Sequence, residues 1–367
     1  MRKSAVTRTT LKDVAAMAGV SVATVSYVLN GTGSVSTEVA ERVRAVVDRL
    51  GYRPNSMAQA MRTGRTATLG LILPDLLNPF FPGLARSVDA VARKLGYCTF
   101  LADTNISPEV EEDVMRNFVR RGVDGVIWFP ATQHDTFAEF RGKIPIVVVD
   151  QDLPDYDLVL PDHWRGGELQ AEHLLASGRT RIGLINGPQS VDNMRLRREG
   201  SVAAIAGRGT VVWEFEAEFD AQLSSEILAA LARREMDAII AGNDLIALSA
   251  MQAMGAMGLR VPEDVSLVGF DDIDIARFIA PTLSSVRIQL DELGELAVHR
   301  LVQLITGPAD APHRRRGVDG AGFGGSPGGV GWWEIVPAQR RPRPRLRLRP
   351  GVLQRGETFK CSQSTLE

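Results

Sequence analysis

The feature that most constrains the fold is an alternation of short apolar runs with amphipathic stretches over residues 67–308. An apolar run at 68–73 is followed by a stretch of helical periodicity at 80–95, and the pattern then repeats. Strands that alternate with helices form a parallel sheet covered by helices. The series restarts after Asp162, so the sequence predicts two α/β halves with a boundary near residue 161 and a return to the first half near residue 290.

The predicted strands share a short apolar composition and cover residues 68–73, 97–102, 125–129, 144–149, 181–186, 237–241 and 265–270. The predicted helices have helical periodicity and cover residues 80–95, 108–121, 164–177, 245–257 and 290–305. In open parallel sheets a ligand binds at the carboxyl ends of the strands. We therefore expect a small-molecule site in the cleft between the two halves.

Composition and charge narrow the class of protein. The chain of 367 residues exceeds one ordinary core, has two cysteines, and has no apolar run long enough to span a membrane or lead a secretory signal. These features favour a reducing cytoplasm. Residues 1–66 hold 10 Lys and Arg against 4 Asp and Glu, whereas residues 67–308 are acidic. A basic head on an acidic body predicts a polyanionic partner, although ordinary surface charge remains an alternative.

Residues 1–52 predict a small domain of three helices. Thr10 and Asp13 have the spacing of a capping box, apolar residues recur at helical spacing after them, and Gly19 ends the helix. Ser21 then caps a second helix after a turn of three or four residues. Two short helices across so tight a turn form a helix-turn-helix, and a third helix follows at 36–50.

The second helix of such a unit enters the DNA major groove. Its spacing turns Val25 and Val28 inward and leaves Val22, Ala23 and Tyr27 to contact bases. Short polar side chains suited to phosphate oxygens are Thr10, Ser21, Thr24, Ser26 and Asn30. A three-helix bundle that binds a protein is the alternative.

Residues 53–66 predict a linker with a short helix after Pro54. A helix this short is marginal alone in water, so it would become ordered against DNA and a second copy of the chain.

The runs 10–30 and 51–61 together resemble the head of the LacI/GalR family of bacterial transcription regulators. The resemblance implies a hinge helix in the DNA minor groove, with contacts from Asn55, Ala58 and Met61. Met61 stands where the family has a leucine that wedges between base pairs, and methionine can also do so. Tyr27 replaces the Arg or His that the family often uses for base readout.

The same resemblance implies a body like that of periplasmic sugar-binding proteins. The expected fold is an all-α helix-turn-helix head followed by an α/β body of two parallel-sheet subdomains. The expected function is that of a cytoplasmic repressor, a homodimer or tetramer that binds a pseudo-palindromic double-stranded operator. A carbohydrate or carbohydrate derivative would modulate it, without any cofactor or metal.

Several residues at predicted strand ends match effector-site positions of the family: Phe80, Phe81, Asp150, Arg195, Arg197, Asn243 and Asp271. The guanidinium of Arg197 offers a planar set of donors, carboxylates accept from hydroxyls, and an aromatic ring stacks on an apolar sugar face. Alternatives remain open for three of them. Asp150 and Asn243 suit helix caps, and Arg195 suits a surface ion pair.

Catalytic signatures are missing from the sequence. The five histidines are scattered without metal-ligand spacing, and no phosphate-binding loop, HExxH or GxSxG motif occurs. We therefore expect a protein that is not an enzyme. A binding module with a different role for its head and a sugar-modifying enzyme remain rival hypotheses.

Residues 309–367 depart from the family pattern, which ends in an apolar strand that returns to the second half. Residues 317–331 contain 8 glycines, and residues 340–350 alternate Arg with Pro and Leu. Such a composition predicts disorder from about residue 312. It is typical of a GC-rich gene read out of frame, so we hypothesise a frameshift near residues 312–316. A basic tail that adds nonspecific DNA affinity is the alternative.

Overall fold

The computed structural model describes residues 9–30, 33–52, 60, 64–153, 155–219, 222–307, 314–316 and 333–336. The head consists of helices α1 (Leu11–Ala18), α2 (Val22–Asn30) and α3 (Thr37–Leu50). Its small core centres on Val14, Val25 and Val43, all of which are fully buried.

Among the described residues no single helix is long and apolar enough to cross a bilayer. Helices α1 and α2 reach the necessary length and apolar composition only when they are taken together, and their axes are bent by 103° at the turn between them.

The body begins with strand β1 (Thr68–Leu73), which helix α4 (Phe80–Lys94) follows. The rest of the first series is β2 (Cys98–Asp103), α5 (Pro108–Arg121), β3 (Gly125–Trp128), β4 (Ile146–Val149) and β5 (Asp157–Leu160). The second series is α6 (His163–Ala176), β6 (Arg181–Asn186), α7 (Asp192–Ile205), β7 (Thr210–Glu216), α8 (Ser225–Arg233), β8 (Ala238–Ala241), α9 (Asp244–Ala256), β9 (Ser266–Asp271) and β10 (Ser284–Ile288). Helix α10 (Leu290–Thr306), β11 (Arg314–Arg316) and β12 (Trp333–Val336) complete the described elements.

These strands form two sheets of six strands each. The first has the order β11-β5-β4-β3-β1-β2 and is parallel throughout, and the second has the order β12-β10-β9-β8-β6-β7, with β12 antiparallel to β10. We call the two units the first lobe (64–160, α10 and β11) and the second lobe (161–288 and β12). The predicted fold class, a helical head with two parallel-sheet subdomains, is confirmed.

The chain passes between the lobes where the sequence pattern changes. It leaves the first lobe after β5 and returns as α10, which packs against α4 and β3. Gly294 makes this return possible, because a Cβ there would lie 2.4 Å from Ser87 Oγ of α4. The close helix contact therefore requires glycine at this position.

Five elements were missed by the sequence analysis: β5, α7, β7, α8 and β10. Helix α7 illustrates why, because it buries polar residues such as Asn193 and Arg197 beside Met194. A helix with a polar buried face lacks the apolar periodicity that marks an amphipathic helix.

The tail requires a correction. The composition from about residue 312 onward predicts a disordered or poorly ordered tail, without a strand that returns to the second half. The structure describes β11 beside β5 in the first lobe and β12 beside β10 in the second. Open edges of β5 and β10 offer backbone hydrogen bonds to any extended segment, and composition does not reveal that opportunity. The remaining tail lies outside the described residues.

Candidate functional site

The recognition helix α2 presents the residues that its periodicity predicts. Val25 is fully buried, whereas Val22 and Tyr27 are 41% and 48% exposed. Ala23 is also exposed, one position after Val22. The exposed face of α2 is therefore free to contact a surface of another molecule.

Short polar side chains cap the first two helices of the head, α1 and α2. The Thr10 hydroxyl accepts from the Asp13 backbone N–H, and the Asp13 carboxylate accepts from the Thr10 N–H at 2.8 Å. The backbone N–H and the hydroxyl of Thr10 both donate to this carboxylate and lower the pKa of Asp13. Ser21 Oγ accepts from the Thr24 N–H at 3.0 Å and lies 2.8 Å from Thr24 Oγ1. Thr10 and Ser21 thus act as helix caps in addition to any phosphate contact.

Gly33 is a residue of the head that the sequence analysis missed. A Cβ at Gly33 would lie 2.6 Å from Cγ of Tyr27, so only glycine lets the ring lie against this backbone. The glycine-rich loop after α2 was the signal for such close approach. The side chain of Asn30 and the hinge residues Asn55, Ala58 and Met61 lie outside the described residues.

A cleft lies between the two lobes and encloses about 660 Å³ of space, including its open mouth. The first lobe contributes Asn78, Phe80, Phe81, Phe129, Asp150 and Gln151. The second lobe contributes Val191, Asn193, Met194, Arg197, Phe219, Asn243 and Asp271. Of the seven predicted effector residues, six line this cleft, and Arg195 does not.

Aromatic rings form one wall. Phe81 is half-buried and makes edge contacts with Phe80, at 5.2 Å between ring centroids, and with Phe129, at 6.2 Å. Phe80 and Phe129 belong to the core of the first lobe. Phe81 is therefore a rigidly supported ring at the cleft.

Arg197 dominates the opposite wall. Its side chain is 5% exposed, Nη1 donates to the Gly242 carbonyl at 2.8 Å, and Nη1 lies 3.5 Å from Asp271 Oδ1. The guanidinium carbon also lies 3.6 Å from the centroid of the Phe270 ring. Nε donates to His163 Nδ1 at 3.2 Å. These contacts fix the orientation of a buried cation beside the cavity.

Asp150 joins the two lobes. It follows β4 of the first lobe, and its carboxylate accepts from His163 Nε2 at 2.7 Å and from the Asn193 amide, both of the second lobe. The helix-cap alternative for Asp150 is therefore wrong, because its partners are side chains of the other lobe. Asn243 does cap a helix, accepting from the Ile246 N–H at 2.9 Å, and also lines the cleft.

Backbone strain is concentrated at these strand ends. Asp150 has a φ of 74°, Asp271 of 103° and Asp272 of 51°, in the left-handed region that favours glycine. Such residues persist only where the surroundings determine them, and they cluster at functional sites. Three aspartates of this kind therefore mark the strand ends as the functional edge of both sheets.

Burial and charge set the protonation of the cleft. Burial raises the pKa of Asp271 to about 7 in spite of the opposing charge of Arg197. Burial also acts to raise the pKa of Asp150, but the hydrogen bonds from His163 and Asn193 and the charge of Arg197 outweigh it, so this pKa is lowered. Asp150 is thus the permanent anion, and Asp271 is the group that titrates near neutrality.

Arg195 lies outside this arrangement. It is half-exposed and forms ion pairs with Asp192 at 2.6 Å and Glu199 at 3.0 Å on its own helix. The geometry thus favours the surface ion-pair interpretation of Arg195.

Seven of the cleft residues named above are not among the predicted effector residues, and they include the polar side chains of Asn78, Gln151 and Asn193. Asn193 Oδ1 and Gln151 Oε1 are buried without a hydrogen-bond partner among the described residues. Asn193 precedes Arg197 by four residues and so lies on the same helix face, a spacing that could have identified it. Within the described part of the chain no cluster of His, Cys, Asp and Glu suits a metal ion.

Comparison with known proteins places this geometry in a class. Residues 10–55 match the family model for bacterial regulatory proteins of the lacI family, and residues 171–321 match the periplasmic binding protein-like domain. The ribose operon repressor of Escherichia coli K12 is 33% identical over 316 residues, which cover 82% of this chain and 94% of the repressor. The chain therefore belongs to the LacI family of DNA-binding transcription regulators.

Solved structures agree with this assignment. The lac repressor dimer bound to operator and the anti-inducer ONPF has a TM-score of 0.72 and 28% identity, covering 84% of this chain and 96% of that one. A LacI family regulator from Enterococcus faecium with bound ribose has a TM-score of 0.60 and 29% identity, covering 68% and 94%. These matches confirm the predicted combination of a helix-turn-helix head with a periplasmic-binding-like body.

Proposed function

We propose that this regulator is a homodimeric cytoplasmic repressor whose operator affinity is set by an uncharged carbohydrate in the cleft. The observation that carries this proposal is the cleft itself. It places a buried arginine and carboxylates opposite an aromatic wall, and it shares Asp150 between the lobes. Such a site is suited to a small ligand with hydroxyl groups on its edges and an apolar face.

The hydrogen-bonding groups of the cleft favour an uncharged ligand. Asn193 donates its amide hydrogen to Asp150, which leaves Oδ1 as an acceptor. Asp271 adds a second acceptor, and its ion pair with Arg197 at 3.5 Å is too long for a strong hydrogen bond. A phosphate or carboxylate would face Asn193 Oδ1 and the carboxylates of Asp150 and Asp271, and Arg197 would have to offset their repulsion. A polyol supplies the hydroxyl donors that these acceptors lack.

The head supplies the DNA contacts. Val22, Ala23 and Tyr27 are exposed on α2, and we assign them to the major groove, with Thr10, Ser21, Thr24, Ser26 and Asn30 at phosphates. The hinge residues Asn55, Ala58 and Met61 would pair with those of a second copy in the minor groove. The dimeric arrangement of the lac repressor on its operator supports two heads on two half-sites.

The coupling between effector binding and operator affinity follows from the carboxylate of Asp150, which contacts both lobes. Asp150 of the first lobe bonds to His163 and Asn193 of the second, so a ligand that bonds to Asp150 or Asn193 changes the contacts between lobes. A change in lobe angle alters the spacing of two hinges in a dimer. A ligand that binds the two lobe arrangements unequally thereby shifts operator affinity.

Binding without turnover is part of the proposal. Of the cleft carboxylates, Asp150 serves the lobe contact, Asp271 pairs with Arg197, and Asp75 accepts from the Leu77 N–H. A relative such as the ribose operon repressor is a transcriptional repressor. A sugar-modifying enzyme would convert its ligand. Incubation of the protein with each bound sugar, followed by chromatography of the recovered sugar, would reveal such conversion.

A titration tests the main proposal. Full-length protein is mixed with a fluorescent fragment of its own promoter at low and moderate salt, with and without D-ribose, D-xylulose or cellobiose. We expect salt-sensitive, sequence-dependent binding whose midpoint shifts with one neutral sugar and not with ribose 5-phosphate. Binding to no genomic fragment at low ionic strength would overturn the repressor assignment.

The tail carries a separate hypothesis, a frameshift near residues 312–316. The abrupt change to glycine-rich and Arg-Pro-rich sequence supports this hypothesis. In the frameshifted chain, β12 would take the place of the lost family strand beside β10. Resequencing of this stretch in genomic DNA and transcript would decide between the frameshift and a genuine basic tail.

A further inference from the structure

We propose that His163 is the positioning residue for Arg197: as a neutral imidazole protonated on Nε2, it links Asp150 of the first lobe to the guanidinium. The proposal rests on the proposed function in that Arg197 contacts the effector. His163 does not line the cleft described above, so it acts on the ligand only through Arg197 and Asp150.

The two bonds of the imidazole fix its tautomer. Arginine is always protonated, so Arg197 Nε is a donor, and His163 Nδ1 at 3.2 Å must accept. The proton of a neutral ring then resides on Nε2, which donates to Asp150 Oδ1 at 2.7 Å. A doubly protonated ring would turn Nδ1 into a donor facing the Arg197 donor, and this bond would be lost.

The surroundings of His163 support a neutral ring. It is 3% exposed and begins α6, with Asp162 before it as the helix cap. Asp150 faces it from the end of β4, Arg197 from α7, and the Phe270 ring of β9 lies 6.1 Å away, centroid to centroid. Burial lowers the pKa of His163, and the charge of Asp150 only partly opposes this effect. The ring is therefore neutral across the physiological range.

Two conservative substitutions separate the two bonds. In His163→Asn the amide oxygen stands near the position of Nδ1 and can accept from Arg197, but the side chain is too short to reach Asp150. In His163→Gln the amide nitrogen reaches toward Asp150, and the acceptor at the Nδ1 position is lost. His163→Leu removes both bonds. If His163 positions Arg197, the bond to Arg197 Nε should persist in the Asn variant and should be lost in the Gln variant, as it is in Leu.

Nitrogen NMR of the full chain tests the tautomer without a ligand. The chain has five histidines, and the signal missing from His163→Gln identifies His163. We expect an Nε2–H tautomer that does not titrate between pH 8 and about pH 6.5. An Nδ1–H tautomer, or titration at the ordinary histidine pKa, would overturn the proposal.

The Nε–H signal of Arg197, assigned with Arg197→Lys, provides a second measurement. It should be protected from exchange in wild type and in His163→Asn, and exchange rapidly in His163→Gln and His163→Leu. Equal protection in His163→Leu would show that Gly242 and Phe270 hold the guanidinium unaided, and would overturn the positioning role. Thermal unfolding of each variant identifies any general loss of folding.

The functional measurement is the affinity of each His163 variant for the neutral sugar that binds wild type. Loss of the hydrogen bond to the guanidinium predicts binding about 10- to 100-fold weaker in His163→Gln and His163→Leu. The loss should be smaller by about threefold or more in His163→Asn, which keeps that bond and gives up the one to Asp150. Equal weakening in Asn and Gln would contradict the role. If wild type binds no sugar of the panel, the carbohydrate assignment fails, while the two NMR measurements still decide the role of His163.

The pH dependence separates His163 from Asp271, which titrates nearby. Wild type and all three His163 variants share the change in affinity that follows the titration of Asp271 near pH 7. Only wild type can lose further affinity at lower pH, because protonated His163 cannot accept from Arg197. We expect this second loss in wild type and its absence in His163→Asn. A second loss of equal size in His163→Asn would assign it to another group.

Discussion

The head and the cleft solve the problem of recognition in opposite ways. The head presents Val22 and Tyr27 on an exposed face of one short helix, supported by a core of few residues. The cleft gathers Asp150, Arg197 and Asp271 from three distant elements, burying Arg197 and Asp271 and half-burying Asp150. Recognition of DNA therefore depends on local periodicity, whereas ligand recognition depends on how two sheets are brought together.

The difference implies that the two activities are separable by mutation. A substitution on the exposed face of α2 should remove the proposed contacts with DNA without disturbing the cleft. A substitution in the cleft leaves the recognition helix intact and changes the response to the effector. Each prediction below pairs a change with a control that tests this separation.

The largest effect is expected from Arg197→Met. It removes a buried cation and leaves Asp271, the Gly242 carbonyl and His163 without their partner. Removing one member of a buried pair costs about 3–5 kcal/mol of stability. Loss of the hydrogen bonds from this charged group to the ligand, worth about 1.5–3 kcal/mol each, should weaken effector binding by about 100-fold or more. Isothermal calorimetry measures the effector affinity. The affinity for DNA without effector should stay within about twofold of wild type.

Arg195→Met is the matched control, because it lies two residues away in exposed ion pairs worth about 0–1 kcal/mol each. We expect effector affinity to change by less than about threefold. An equally large loss at Arg195 would indicate that α7 as a whole, rather than the cleft-facing guanidinium, determines binding.

Tyr27→Ala should weaken operator binding by about tenfold or more, since a lost base contact costs about 1–3 kcal/mol. Effector affinity and nonspecific DNA binding should not change. Fluorescence anisotropy with operator and scrambled DNA measures both. Met17→Ala is the control, because Met17 is 51% exposed in the same head but lies on α1. Equal losses from both substitutions would argue against α2 as the reading helix.

Asp271→Asn should weaken effector binding by about tenfold and remove its pH dependence near neutrality. Hydroxyl donors favour the ionised carboxylate, so wild-type affinity should rise as pH increases through about 7. Stability should change with the opposite sign. The raised pKa means that the folded state binds more protons than the unfolded state between about pH 4 and 7, so wild type loses stability as pH rises through that window.

Thermal unfolding across this pH range should show a smaller decline in Asp271→Asn. Part of the decline will remain, because burial also raises the pKa of Asp244 and Glu111. An unchanged decline in Asp271→Asn would mean that Asp271 is ionised throughout and that its pair with Arg197 is stronger than the geometry indicates.

The smallest effect on binding is expected from Glu111→Gln. The buried carboxyl of Glu111 accepts from Trp128 Nε1 at 3.1 Å, from the Ala131 N–H at 2.7 Å and from Thr136 Oγ1 at 2.8 Å. It thereby anchors the loop that carries Ala131, a residue of the cleft wall. The amide oxygen can keep the bonds to Trp128 and Ala131, whereas the amide nitrogen must reverse the bond to the Thr136 hydroxyl, at a cost of about 0.5–1.5 kcal/mol of stability.

Chemical unfolding measures that loss, and effector affinity should fall by only about two- to threefold because no ligand contact is removed. Glu112→Gln is the control, since Glu112 is half-exposed in an ion pair with Arg116. If Glu111→Gln weakened effector binding as much as Arg197→Met, the loop, rather than the strand ends, would control the site.

The sequence by itself determined the head and the alternation of the body. Helical spacing placed Val25 inside and Tyr27 outside, because these positions depend only on the 3.6-residue period. The strands of the body followed from continuous apolar runs, since buried parallel strands are apolar on both faces. Asp271 was predicted because its strand-end and family positions coincide, whereas Arg197, which lies on α7, was predicted from its family position and its planar guanidinium.

Only the tertiary structure decided which polar groups meet. Asp150 and His163 are 13 residues apart and belong to different lobes, and His163 reaches Arg197 across 34 residues. The tail strands likewise depend on open sheet edges rather than on their own composition. Contacts of this kind arise from the distance between folded elements, and the local periodicity that reveals a helix or a strand carries no information about that distance.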